Sequence, residues 1–274
     1  MSLDLDNRQR AMLQEMGVRV WLPPSGAAPP PAETPAPPAA RLVPAAAQAA
    51  SVAQGGGDYP GSAIGVAPVA GRVMALEDMD AVGLRTAAAA CQACGLCAGR
   101  KNSTLHMPDT AVQADWLVLG DPPDEDEDRL GRPFVEQAGV LLDNMLKAIG
   151  ASRSGLGRQG AYLSNVVKCR PPMGRLPQAA ELVQCAQYLH REMALVQPKV
   201  ILAIGRFASQ LVLEEHPLEA ALPLGKQRGR VYRYRGVPVI VSYHPKVLLR
   251  ASGDKAKAWA DLCLAMDTLD GSAG

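Results

Sequence analysis

Asp115-Trp116-Leu117-Val118-Leu119-Gly120 is an acidic residue followed by four apolar ones, and the run stops at Gly120-Asp121. A short apolar run bounded by a Gly-containing turn reads as a buried strand. The pattern then repeats along the chain. Ala138–Ile149 is amphipathic at helical period, and Ala161–Val167 is a second strand-like run. Gln178–Leu195 reads as a helix, Lys199–Gly205 as a third strand and Arg206–Leu213 as a helix. Val237–Tyr243 is the fourth strand and Lys255–Leu269 the closing helix, with Ala75–Cys91 a helix ahead of them all. Strands alternating with helices imply an α/β fold, a three-layer α/β/α sandwich with a central, mainly parallel four-stranded sheet. Ligands of such sheets sit at the carboxyl ends of the strands. The loops Gly120-Asp121, Asn165–Arg170, Gly205-Arg206 and Tyr243-His244-Pro245 are therefore expected to converge.

Outside this region the composition changes. Residues 22–70 are Pro, Ala and Gly with only Glu33, Arg41 and Asp58 charged, so they lack the means to bury a core and read as a disordered linker. Before it, Met12, Leu13, Met16 and Val20 share one helical face, and Trp21 follows. The expected organisation is a short docking peptide over 1–22, a linker over 23–72 and a folded domain over 73–274. A tethered apolar peptide suits partner docking because the linker supplies reach. The net charge of +1 does not mark a nucleic-acid binder, so any such contact must come from local basic patches. No run is apolar enough to span a bilayer, and Met1–Arg10 is polar and charged. A cytoplasmic monomer is expected.

Cys91-Gln-Ala-Cys94 is followed much later by Cys169 and Cys185. In a reducing compartment, C-x-x-C with two distant cysteines reads as a metal site or an iron–sulfur cluster before it reads as disulfides. Four thiolates suit either a 4Fe-4S cluster or a zinc ion.

Residues 85–265 resemble the family 4 uracil-DNA glycosylases. The likeness is carried by Cys91-x-x-Cys94, Ala114–Gly120, Gly131-Arg-Pro-Phe-Val135, Gln137-Ala-Gly139, Asn165-Val-Val-Lys-Cys169-Arg-Pro-Pro172, Pro198-Lys through Gly205, and Tyr243-His-Pro245 with Leu248-Leu-Arg250, in family order. The resemblance implies a 4Fe-4S cluster on Cys91, Cys94, Cys169 and Cys185, stapling the loop Arg170–Gln184. It implies a DNA substrate containing uracil, whose base is flipped out of the stack. Phe134 would stack on that base, Asn165 would pair bidentately with its edge, and Glu127 stands where the family has a pocket carboxylate. His244 would donate to uracil O2, where charge grows as the glycosidic bond breaks, and Asp121 would position the attacking water. Arg170, Arg175, Lys246 and Arg250 would face DNA.

The first loop departs from the family. There it reads Gly-Glu-(Ala or Gly)-Pro-Gly-Glu-Glu-Glu-Asp, and here Gly120-Asp-Pro-Pro-Asp-Glu-Asp-Glu-Asp128. Pro122 lacks an amide donor. Asp124 replaces a Gly expected to need φ > 0, and Glu136 replaces another Gly. Gly174 replaces an Asn, and Lys246 replaces Ser or Ala. The acidic run 124–128 reads as inherited loop chemistry rather than a metal site. Lys246 favours phosphate contact and does not argue against DNA binding, but Pro122, Asp124 and Glu136, with the N-terminal peptide, support an alternative, a glycosylase-fold adaptor of the replisome with little activity. Asn7–Trp21, through Arg8, Leu13-Gln14, Gly17 and Trp21, resembles the start of the psi subunit of the bacterial DNA polymerase III clamp loader. That likeness implies the clamp loader as a partner.

Overall fold

A computed structural model describes residues 76–109 and 113–271. The expected docking peptide, the linker and the start of the domain at residue 73 lie outside the described residues. In chain order the main elements are α1 (Ala81–Ala90), β1 (Ala114–Gly120), α2 (Glu125–Leu130), α3 (Glu136–Ala148), β2 (Gly157–Asn165) and α4 (Ala179–Val196). They continue as β3 (Val200–Ile204), α5 (Arg206–Val212), the one-turn helices α6 (Pro217–Ala220) and α7 (Leu224–Gln227), β4 (Val231–Tyr234), β5 (Val237–Ser242), α8 (Pro245–Arg250) and α9 (Lys255–Gly271). The helix expected from Ala75 starts later. Asp80 accepts the Gly83 N–H at 2.7 Å and so caps α1, while Leu76–Asp78 forms a separate 3₁₀ turn.

Among the described residues the sheet has five strands in the order β2-β1-β3-β5-β4, which corrects the expected four. β2, β1, β3 and β5 are parallel, and β4 pairs antiparallel with β5. The extra strand is Val231-Tyr-Arg-Tyr234, half-buried by alternation and joined to β5 through Arg235-Gly236. Both turn residues have positive φ, 49° and 84°, the conformation that a two-residue hairpin matching strand twist requires.

β1 is buried along its whole length because both sheet faces are covered. Its alternate residues serve different cores. Leu117 and Leu119 join Leu84, Leu189 and Leu211 on one face, and Trp116 and Val118 join Leu142, Met145 and Leu262 on the other. That division is the three-layer sandwich. Its consequence for function is that β1, β2, β3 and β5 all end on the same edge. Among the described residues no helix is long and apolar enough to cross a membrane.

Candidate active site and cysteine cluster

The strand ends converge. From β1, the Asp121 carbonyl accepts the Asn165 side-chain amide of β2 at 2.9 Å. Asp121 Oδ1 accepts the Phe207 and Ala208 amides at 2.7 and 3.2 Å, capping the first turn of α5. A Cβ on Gly205 would lie 2.3 Å from Asp121 Oδ2, and Gly205 has φ +107°, so this turn accepts only glycine. Burial raises the Asp121 pKa, and the backbone hydrogen bonds at α5 oppose that rise.

The first loop organises the pocket by a capping box. Asp124 accepts the Glu127 N–H at 2.8 Å, and Glu127 Oε2 accepts the Asp124 N–H at 3.0 Å. Asp124 has φ −91°, so the expected need for a left-handed backbone does not arise there. The strain sits at Phe134 and Glu136 instead, with φ +51° and +53°. Each costs about 1–2 kcal/mol for a residue with a Cβ. Phe134 is held in place from both backbone sides. Glu127 Oε1 accepts its N–H at 2.6 Å, and Arg153 donates to its carbonyl at 2.7 Å. Its ring lies over Gly120, where a Cβ would stand 2.4 Å from Cζ.

Asn165 is 1 % exposed. Its amide nitrogen donates to the Asp121 carbonyl and, at 3.3 Å, to Glu127 Oε1, while its Oδ1 has no hydrogen-bond partner in the described structure. Two acceptors around the nitrogen fix the amide orientation. Burial pushes Glu127 up to about pKa 6, against hydrogen bonds from Phe134 and Asn165 that pull it down.

From β5, His244 caps α8, and its Nδ1 accepts the Lys246 N–H at 3.2 Å. The neutral ring therefore carries its proton on Nε2. Burial draws its pKa down to about 4. The His244 and Phe134 rings face each other with centroids 5.5 Å apart and planes 22° apart. At the end of β5, Asp261 accepts from Ser242 and Arg228, both at 2.6 Å, and Arg228 lies over the Tyr243 ring.

Three of the four residues expected to face DNA have protein partners here. Arg170 meets Glu125 at 3.3 Å, Arg175 grips Glu181 through two hydrogen bonds, and Lys246 pairs with Asp124. Arg250 is exposed at the end of α8. The acidic run 124–128 is mostly the helix α2 with its cap. Asp128 is buried and accepts the amides of Lys101 and Asn102.

Cys91, Cys94, Cys169 and Cys185 line one cavity, and so does Cys97. None of them is in a disulfide. Burial raises the pKa of Cys169 and pushes Cys185 up to about 12, so neither ionises unaided near neutral pH. Arg100 donates to the Cys169 sulfur at 3.2 Å and the Lys168 amide to the Cys185 sulfur at 3.3 Å. Among the described residues no three His, Cys, Asp or Glu side chains converge as for a single metal ion. A thiol-lined cavity with donors aimed at its sulfurs fits a cluster, whose thiolates spread around several irons.

Sequence reasoning missed the supports. Lys168 is 2 % exposed and donates to Glu192, Ser164 and the Asn165 carbonyl at 2.6, 2.5 and 2.8 Å. Tyr162 donates to the second Glu192 oxygen at 2.7 Å. A buried lysine in the loop after β2 paired with a glutamate inside a helix has no sequence periodicity that would announce it, and neither has Arg153.

Residues 107–263, more than half of the chain, match the model of the uracil DNA glycosylase superfamily. The chain belongs to that superfamily. Within it the chain is similar to the type-4 uracil-DNA glycosylase of Archaeoglobus fulgidus, 37 % identical over 161 residues, covering 57 % of this chain and 78 % of the relative. The type-4 enzyme of Pyrobaculum aerophilum is 33 % identical over 178 residues, covering 64 % and 87 %. That of Saccharolobus solfataricus is 33 % identical over 163 residues, covering 58 % and 72 %. The family 4 resemblance is borne out.

Proposed function

We propose that this protein excises uracil from DNA by hydrolysing the N-glycosidic bond. The carrying observation is the Asn165 Oδ1 atom, a buried acceptor without a partner in the described structure, on a side chain held by the same Glu127 oxygen that holds Phe134. Leaving such an atom unpaired costs about 1–3 kcal/mol. Uracil offers it the N3–H, whereas cytosine presents a bare nitrogen there and is repelled. The Asn165 nitrogen is already committed to Asp121 and Glu127, so the acceptor contact is the discriminating one in place of an even bidentate pair.

Phe134 supplies the stacking face. As the bond from C1′ to N1 breaks, its electron pair stays on the base, and His244 Nε2–H donates to the O2 that gains negative charge. The neutral ring fits this role because its Nδ1 accepts the Lys246 N–H while its Nε2–H remains to donate. Asp121, anchored at Oδ1 by the Phe207 and Ala208 amides, orients the water that adds to C1′, and the proton this water loses neutralises the departing uracil anion. Glu127 is a positioning residue for Phe134 and Asn165.

A 4Fe-4S cluster on Cys91, Cys94, Cys169 and Cys185 would staple the loop after Cys169 to α4. Arg170, Arg175, Lys246 and Arg250 form the phosphate-facing rim, exchanging carboxylate partners for phosphates. Residues 1–22 are proposed, from their sequence alone, to dock on the clamp loader, and deletion of 1–22 should abolish capture in a pull-down. The function itself is tested by incubating the full chain with uracil-containing single- and double-stranded oligonucleotides, then cleaving abasic sites with alkali. Strand cleavage at the uracil is expected, and none at stoichiometric protein would contradict the reading and favour the inactive adaptor.

A further inference from the structure

The ion pair between Lys246 Nζ and Asp124 Oδ2 joins two loops that carry opposite halves of the site. On one side, Asp124 forms the capping box with Glu127, which in turn holds Phe134 and Asn165. On the other, the Lys246 amide holds the His244 ring. The ring centroids of Phe134 and His244 stand 5.5 Å apart. A base stacked on Phe134 lies about 3.5 Å from that ring, and its O2 edge must come within about 3 Å of His244 Nε2. Seating a base therefore depends on the spacing of the two loops that carry these rings. The charged side chains are 41 % and 33 % exposed, so an incoming phosphate reaches them.

We propose that Asp124 and Lys246 form a latch that holds these two loops together until a DNA phosphate draws Lys246 away from Asp124. Base entry is thereby coupled to capture of the backbone. One ion pair is exchanged for another, so opening in the presence of DNA is nearly balanced in free energy, while a free base, which carries no phosphate, must break the pair uncompensated. Both residues stand where the sequence departs from the family pattern, and each supplies the partner the other needs. The proposal rests on the uracil reading of the pocket.

Two variants of the full chain isolate the charge. Asp124→Asn keeps a side-chain oxygen for the Glu127 N–H, since Asn caps as well as Asp. Lys246→Met keeps the length of the side chain and the backbone amide that holds His244. The first readout is the inhibition constant of free uracil against oligonucleotide cleavage. The second is amide hydrogen exchange over residues 243–250. Each variant should bind free uracil about threefold to fivefold more tightly, the range set by a partly exposed ion pair. The double variant should match either single one, and exchange over 243–250 should rise in all three. Unchanged uracil inhibition in an enzyme that cleaves, additive effects in the double variant, or unchanged exchange each overturns the latch. Failure of the wild-type chain to cleave would overturn the pocket reading instead, and the exchange measurement still decides the latch.

Discussion

Glu127 Oε1 accepts the backbone N–H of Phe134 at 2.6 Å, and the same carboxylate accepts from Asn165 and Asp124. One buried side chain thus fixes the stacking face, the base-reading amide and the first loop. Glu127→Gln leaves a single oxygen for three donors and turns an NH₂ against one of them. A buried donor stranded in this way costs about 1–3 kcal/mol. The melting temperature should fall by roughly 2–4 °C per kcal/mol for a domain of this size, with at least a tenfold loss of cleavage rate. Thermal melting and single-turnover kinetics check both.

The same residue gives a pH signature. Glu127 has a folded pKa of about 6 against an ordinary 4.5, so the folded state binds more protons across that window. Its contribution to stability is therefore full below about 4.5 and is lost as pH rises through 6. The shift corresponds to about 2 kcal/mol. The wild type minus Glu127→Gln difference in unfolding free energy, measured by denaturant titration at several pH values, should fall across this interval. A flat difference would remove the raised carboxyl from the account.

His244 behaves oppositely. Its folded pKa of about 4 lies below the ordinary 6.5, so its stabilising contribution is complete above 6.5 and disappears as pH falls through 4. The imidazole should remain neutral at pH 5.5, where an exposed histidine is mostly charged. Titration of its ring proton by NMR should give a midpoint below 5, and a midpoint near 6.5 would contradict a desolvated ring.

Glu136 carries φ +53° at the start of α3. Glu136→Gly should relieve the left-handed strain, offset in part by the greater freedom of glycine in the unfolded chain. The expected net gain is about 0.5–1 kcal/mol. Thermal melting checks it, and a loss would mean that the exposed pair with Arg129 at 3.2 Å matters more than backbone strain.

Much of this architecture was legible from the chain. The apolar runs near Gly120, Asn165 and Tyr243 sit where strands end, because both sheet faces are covered and the central strand residues are mostly apolar. β4 escaped because Val231-Tyr-Arg-Tyr234 is an edge strand with one polar face, and its turn is Arg-Gly rather than Asn-Gly. Backbone conformation was the least legible. Glycine was expected to be needed at position 124, where the backbone is extended, whereas the positive φ falls at 134 and 136. The ion pairs of Lys246 with Asp124 and Lys168 with Glu192 join residues far apart in sequence, so only the fold brings them together.

Lys168 and Glu192 tie the strand that ends in Asn165 to α4, the helix that carries Cys185. Lys168→Met leaves a buried carboxylate without its cation, a loss of about 3–5 kcal/mol. Adding Glu192→Gln should restore part of the lost melting temperature, because the stranded charge is gone. Equal melting of the single and double variants would show that the charge pair is not what holds this strand and helix.

The account turns on whether Asn165 reads the base. Single-turnover release of uracil from a single-stranded oligonucleotide should be rapid for the wild-type chain. It should be slower by at least about a hundredfold for Asn165→Ala, consistent with the loss of one well-aimed polar contact in a dry site. Equal rates for the two proteins would contradict the assignment of this pocket.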